Sequence, residues 1–130
     1  MKIDIEVRTH ARREMVDITR RVTDAVRETG DGLCHIYVPH TTAAVVINEH
    51  ADPDVARDLT AAYEAMVPQM RFAHAEGNSD AHLMATVLGS SVTVALEGGR
   101  PRLGTWQGIF VFEHRTAPHR RKVCLSILGE

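Results

Sequence analysis

Apolar and polar residues alternate at the start of the chain, Ile3, Ile5 and Val7 against Asp4, Glu6 and Arg8. A period of two predicts a half-buried strand. The period then lengthens: Ile18, Val22 and Val26 recur every four residues behind Asp17, a residue suited to cap a helix, and Gly30 with Gly32 stops the run. Residues 33–38 and 42–48 are rich in Ile, Val and Tyr and predict two strands broken at Pro39 and His40. Asp52-Pro53 opens a second helix, since proline lacks only an N–H that the first turn leaves unused. Val55, Leu59, Ala62 and Met66 give that helix one apolar face, and Pro68 ends it. Residues 71–78 read as loop, and 79–88 as a short helix capped by Asn78 or Ser79. Strands follow over 91–96, 103–113 and 122–128, the first running into the two-glycine hairpin turn Glu97-Gly98-Gly99-Arg100.

Strands dominate, and tight turns favour antiparallel pairing. The pattern therefore predicts an α+β fold, a mainly antiparallel β-sandwich-like core with two longer helices and one short helix on its outside. No linker, repeat or low-complexity tract divides the chain, so residues 1–130 form one domain, long enough to bury roughly two-thirds of its unfolded surface. No apolar stretch approaches the ~20 residues needed to span a bilayer, and Met1-Lys-Ile-Asp-Ile-Glu lacks the apolar core of a signal peptide, which makes a cytoplasmic location the expectation. The 15 basic and 17 acidic side chains leave a net charge of −2, so no global field draws in nucleic acid or an anionic membrane. Locally the basic residues cluster: Arg115, Arg120, Arg121 and Lys122 fall together and could receive phosphate groups. Cys34 and Cys124, each beside apolar neighbours, read as two buried free thiols.

Candidate chemistry concentrates in two polar knots set against apolar segments, where polar groups are costly unless paired or bound to something. One is Pro39-His40-Thr41-Thr42 with Asn48-Glu49-His50; the other runs from His74 through Glu76, Asn78 and Asp80 to His82. His40, His74 and His82 each lie at a junction between elements and could converge at one end of the sheets. Three imidazoles with an open fourth position would suit zinc or another divalent ion such as magnesium. His10, His35, His50, His114 and His119 read as ordinary exposed or core-satisfied residues. Thr41 and Thr42 are either ordinary β-residues or, as two hydroxyls beside His40, an anion cradle; Asn48 either bonds backbone or faces a site, and Trp106-Gln107 reads as core tryptophan plus backbone-satisfying amide. Neither a nucleophile elbow, a P-loop nor a dinucleotide fingerprint is present, which sets aside ATPase and dinucleotide-dependent chemistry.

Pro39-His40-Thr41-Thr42-Ala43, Ile47-Asn48-Glu49-His50-Ala51-Asp52-Pro53-Asp54-Val55, Asp80-Ala81-His82, Leu88-Gly89-Ser90-Ser91 and Leu103-Gly104-Thr105-Trp106-Gln107 resemble the YjbQ family, the secondary thiamine-phosphate synthase-like family of small proteins. The resemblance covers nearly the whole chain. It implies a compact α+β fold, a homotrimer with pockets near subunit interfaces, and a weak thiamine-phosphate synthase activity. The family's recurrent polar positions fall here on His40, Thr41, Asn48, Glu49, His74, Asn78, His82, Trp106 and Gln107. One departure stands out: family members typically carry an Asp-Gly-Pro-Arg turn where this chain reads Arg115-Thr-Ala-Pro-His-Arg120, leaving Arg120 and Arg121 as substitutes.

Two functions of different class follow. An enzyme would join a pyrimidine pyrophosphate to a thiazole phosphate, with His40, His74 and His82 on a metal, Glu49 with Asn48 and His82 as the reacting groups, and Thr41, Asn78 and Arg120 holding the ligand. The other is a binding protein for a divalent metal or a small phosphorylated metabolite, built on the same residues.

Overall fold

The computed structural model describes residues 1–129. Its elements run β1 (Lys2–Arg8), β2 (Glu14–Asp17), α1 (Thr19–Ala25), β3 (Gly32–Tyr37), β4 (Ala43–Glu49), α2 (Pro53–Ala65), α3 (Ser79–Leu88), β5 (Ser91–Glu97), β6 (Arg100–Pro101), β7 (Gln107–Glu113) and β8 (Arg120–Gly129). All strand pairs are antiparallel. They form a five-stranded sheet, β1-β8-β3-β5-β6, and a three-stranded sheet, β2-β7-β4. The expected α+β architecture with an antiparallel core is the one observed.

Between the two sheets lies the apolar core. In β8, Val123, Leu125 and Ile127 turn inward, while Lys122, Ser126 and Leu128 turn out. Strand β7 is central in its sheet and is buried on both faces from Gly108 to Glu113. Ile109 and Val111 point into the core shared with the five-stranded sheet. Phe110 and Phe112, of opposite parity, lie outside that core cluster, and Phe112 packs against Tyr63 of α2 at 5.8 Å between ring centres. The molecule is thus three layers deep at β7, with a helix layer behind the smaller sheet. The outer face of the five-stranded sheet has no such cover, and Leu33, Tyr37 and Leu128 remain exposed there.

Three local expectations change. Strand β2 is absent from the sequence pattern because four residues, Glu14-Met-Val-Asp17, are too few to display a period; it forms by pairing with β7. The short helix is α1, with 7 residues, while α3 runs for 10. Ile18, Val22 and Val26 are buried as their spacing requires, but the helix ends at Val26, whose carbonyl is taken by the Thr29 N–H and hydroxyl. Residues 103–106 precede β7 as irregular chain. The two-glycine turn is as expected: Gly98 and Gly99 have φ of 58° and 73°, the left-handed pair that a tight hairpin needs. Cys34 is a buried free thiol, pushed up to about 11 by that burial, whereas Cys124 is only half-buried.

Candidate functional site

Three loops meet at one end of the sandwich: residues 9–13 after β1, residues 38–42 between β3 and β4, and residues 114–119 between β7 and β8. Pairing ties them together, with Thr9 N–H donating to His119 O at 3.0 Å, Arg13 N–H to Arg115 O at 3.0 Å and His114 N–H to Thr42 O at 3.1 Å. A charged pair is buried at this junction. Glu113 has the parity of Ile109 and Val111, so it points between the sheets, and Arg121 has the inward parity of Val123 and Leu125. Arg121 donates to both Glu113 carboxylate oxygens, and its Nη2 also donates to the Thr42 hydroxyl at 2.9 Å and carbonyl at 3.2 Å. The Thr9 hydroxyl and the Arg115 N–H complete the shell of Glu113 at 3.0 and 3.2 Å. Burial acts to raise the Glu113 pKa, but the hydrogen bonds and charge of Arg121 outweigh it and hold the carboxyl below its ordinary value.

His40 stands at the rim of this centre. Strand β3 ends at Tyr37, and Pro39, which has no N–H to pair, lies between it and His40. Strand β8 pairs with β1 as far as Arg120, but with β3 only from Gly129 back to Cys124. The Lys122 N–H therefore lies beyond the end of β3, and the His40 ring takes the place of a strand carbonyl: Nε2 accepts that N–H at 2.8 Å. An acceptor nitrogen carries no proton, so the neutral ring is protonated on Nδ1. Burial, with Arg121 second, lowers the His40 pKa and favours that neutral form. What His40 offers a ligand is an N–H donor; a metal at Nδ1 would have to displace this proton.

Around His40 a cavity of about 350 Å³ is lined by Asp4, Ile5, Glu6, Arg120, Arg121 and Lys122. Arg120 also borders a neighbouring cavity of about 480 Å³ with Arg8, Thr9, His10, Pro118 and His119. Two carboxylates temper this basic rim, Asp4 at 3.3 Å from Lys122 and Glu6 at 3.6 Å from Arg120. Both pairs are exposed and worth only about 0–1 kcal/mol each.

The remaining expected site residues are dispersed. Thr41 is exposed, and the buried hydroxyl that works in the polar centre is that of Thr42, one residue on. Arg120 is exposed and Arg121 is the buried guanidinium, the same one-residue offset. Asn48 and Glu49 end β4, which begins at Ala43 beside His40; seven extended residues separate the two ends by roughly 20 Å. Asn48 accepts the Glu49 N–H and borders an apolar cavity of about 260 Å³ under α2, with Tyr63 and Phe112. Glu49 is thus not on the wall of the His40 cavity. His74 and His82 meet edge to face, ring centres 5.6 Å apart. Asn78 is the N-cap of α3 without a capping hydrogen bond, and its Oδ1 is buried with no partner. Among the described residues no three or more His, Cys, Asp or Glu side chains gather as a metal site, so the three imidazoles do not form one set within a single chain.

Other residues escaped the sequence pattern. His114 is fully buried, neither ring nitrogen has a partner, and burial drops its pKa to about 4. Its parity with Phe110 and Phe112 was legible and places it in the helix layer, against Phe112 at 4.7 Å and Tyr63 at 5.8 Å. Arg13, also buried, donates to His114 O at 3.0 Å and pairs with Asp80 of α3 and with Glu64 of α2 at 3.1 Å. These ties hold it at φ 39°, an unfavourable left-handed backbone. Trp106 is 63% exposed rather than core, while Gln107 does satisfy backbone, accepting the Gly104 N–H at 2.8 Å.

The family model for UPF0047 protein YjbQ-like matches residues 3–130. The chain belongs to the YjbQ (UPF0047) family. A UPF0047 protein of Methanocaldococcus jannaschii is 43% identical over 100% of this chain and 96% of its own, and UPF0047 protein YugU of Bacillus subtilis is 41% identical over 96% and 97%. A YbjQ-like protein of unknown function from Sulfolobus solfataricus superposes with a TM-score of 0.92 at 35% identity, over 100% of this chain and 97% of that one. A YjbQ/UPF0047 protein from Clostridium acetobutylicum gives 0.90 at 41%, over 97% and 99%. Family members therefore share this sandwich along its full length. No described helix is long and apolar enough to cross a membrane.

Proposed function

We propose that this YjbQ protein binds the phosphate or diphosphate end of a small metabolite in the cavity that β1 and β8 line beside His40. The observation that carries the reading is the hydrogen bond from Lys122 N–H to His40 Nε2, which fixes Nδ1–H as a donor beside Arg120, Arg121 and Lys122. Phosphate oxygens accept hydrogen bonds and carry charge, and a neutral imidazole donor among guanidinium and ammonium groups answers both needs. Arg121 contributes mainly by its position: it is committed to Glu113 and Thr42, so the mobile charges are Arg120 and Lys122. A phosphate would replace Asp4 and Glu6 as their partners at little net cost, since exposed pairs are weak.

The transfer that the family resemblance implies, a pyrimidine pyrophosphate joined to a thiazole phosphate with release of pyrophosphate, would use this cavity for its charged ends. Binding without turnover is the reading the geometry supports more directly. Glu113, the one buried carboxylate among the described residues, is locked by Arg121 and is no base, and Glu49 lies at the far end of β4. Calorimetric titration with inorganic pyrophosphate tests the proposal. Arg120→Ala with Lys122→Ala should weaken binding by more than about tenfold, and raised salt should weaken the wild type similarly, because each phosphate contact contributes charge. Equal affinity in the wild type and the double variant would place the anion elsewhere.

A further inference from the structure

We infer that His74, Asn78 and His82 form a site for a late first-row divalent ion such as zinc, nickel or cobalt. The site is separate from the anion cavity and does not rest on it. The three residues are spaced by four, and the backbone around them is turned: Gly77 N–H donates to His74 O at 3.1 Å, and His82 N–H to Asn78 O at 3.3 Å. Asn78 and His82 consequently occupy one face of the first turn of α3. His74 comes over that face from the preceding loop, its ring 5.6 Å from the His82 ring at 74° between planes. Two imidazoles sharing an ion at ~2.1 Å per bond and a tetrahedral angle have ring centres roughly 5–6 Å apart, so the rings stand at the right separation already.

A second, independent feature points the same way. The Asn78 Oδ1 is buried and has no hydrogen-bond donor. A buried acceptor without a donor is unfavourable, and a cation satisfies it. Edge-to-face packing of the two rings accounts for the histidines but leaves this oxygen unanswered. Imidazole nitrogens with an amide oxygen suit zinc, nickel and cobalt rather than calcium or magnesium, which prefer all-oxygen shells. Asp80 is not a competitor, because Arg13 holds it. Three protein donors leave positions open to water or a ligand, the arrangement of a reactive rather than a closed structural site.

Titrating the metal-free full chain with cobalt, followed by its visible absorption, tests the site. One ion per chain should bind with a ligand-field spectrum. His74→Ala and His82→Ala should each weaken binding by more than about tenfold. Asn78→Leu should weaken it too, while Asn78→Asp, which keeps an oxygen donor and adds charge, should bind at least as tightly as wild type. His74 is exposed, so its variant should keep the wild-type fold, checked by the far-ultraviolet dichroism and melting temperature of the apo protein. Unchanged cobalt affinity in His74→Ala and His82→Ala, or no binding by the wild type at micromolar concentration, would overturn the assignment.

Discussion

At the scale of single residues, the buried polar side chains among the described residues are two guanidiniums, one carboxylate, one imidazole and the hydroxyls of Thr9 and Thr42. Glu113 and Arg121 are each at most 5% exposed and saturate one another, so removing either leaves an uncompensated buried charge. Arg121→Met is expected to cost about 3–5 kcal/mol in urea unfolding, whereas Arg120→Met should be nearly neutral. His114 acts on pH. Its folded pKa of about 4 lies below the unfolded value near 6.5, so the unfolded chain binds more protons between those limits. Stability should therefore be complete above about pH 6.5 and fall by up to about 3 kcal/mol as the pH drops towards 4. Glu113, also lowered, adds a loss with the same acid direction, beginning only below its unfolded value. The two separate in His114→Phe, which should remove most of the fall between pH 6.5 and 4.5, leaving only the smaller part due to the lowered pKa of His40, and keep the loss at lower pH. An unchanged slope in that variant would assign the titration to another group.

At the scale of elements, the strands carry the rigidity and α2 does not. Every residue of β7 from Gly108 to Glu113 is buried, while α2 has no fully buried residue in its 13, and Met66 at its end is 74% exposed. Amide exchange should accordingly be fastest in α2 and slowest in β7 and β8, with α2 opening well below the global free energy. Gly108 shows how tight β7 is: a Cβ there would lie 2.5 Å from the His50 Cβ and Cγ, and His50 is held by Asp17 at 3.0 Å. Gly108→Ala should destabilise by about 1–3 kcal/mol, with the Asp17 pair broken. Much of this was legible beforehand. The inward parity of Val123, Leu125 and Ile127 extends to Arg121, and the position of Glu113 directly after Ile-Phe-Val-Phe marks a carboxylate inside a buried strand. The offset from Thr41 to Thr42 and from Arg120 to Arg121 arose because polar type alone does not say which face a residue takes. Parity does, once the strand is anchored. Strand β2 and the bond from Lys122 to His40 were not legible, since both depend on where one strand ends relative to another.

At the scale of the whole molecule, the outer face of the five-stranded sheet stays open, with Leu33 47%, Tyr37 42% and Leu128 72% exposed. Helices α2 and α3 pack against the smaller sheet. The trimer implied by the family resemblance would hide such a surface; light scattering should then give three times the 14.4 kDa chain mass, and Leu128→Glu should lower it. The anion cavity lined by β1, β8 and His40 is the feature on which the functional reading stands, and its decisive element is the protonation of one ring. Nitrogen-15 NMR of the His40 imidazole at neutral pH, with and without inorganic pyrophosphate, tests it most directly. The expected result is a neutral ring with the proton on Nδ1 and a bare Nε2, and an Nδ1 resonance that moves on adding pyrophosphate. A proton on Nε2, or a ring that ignores a pyrophosphate concentration at which calorimetry shows saturation, would contradict it.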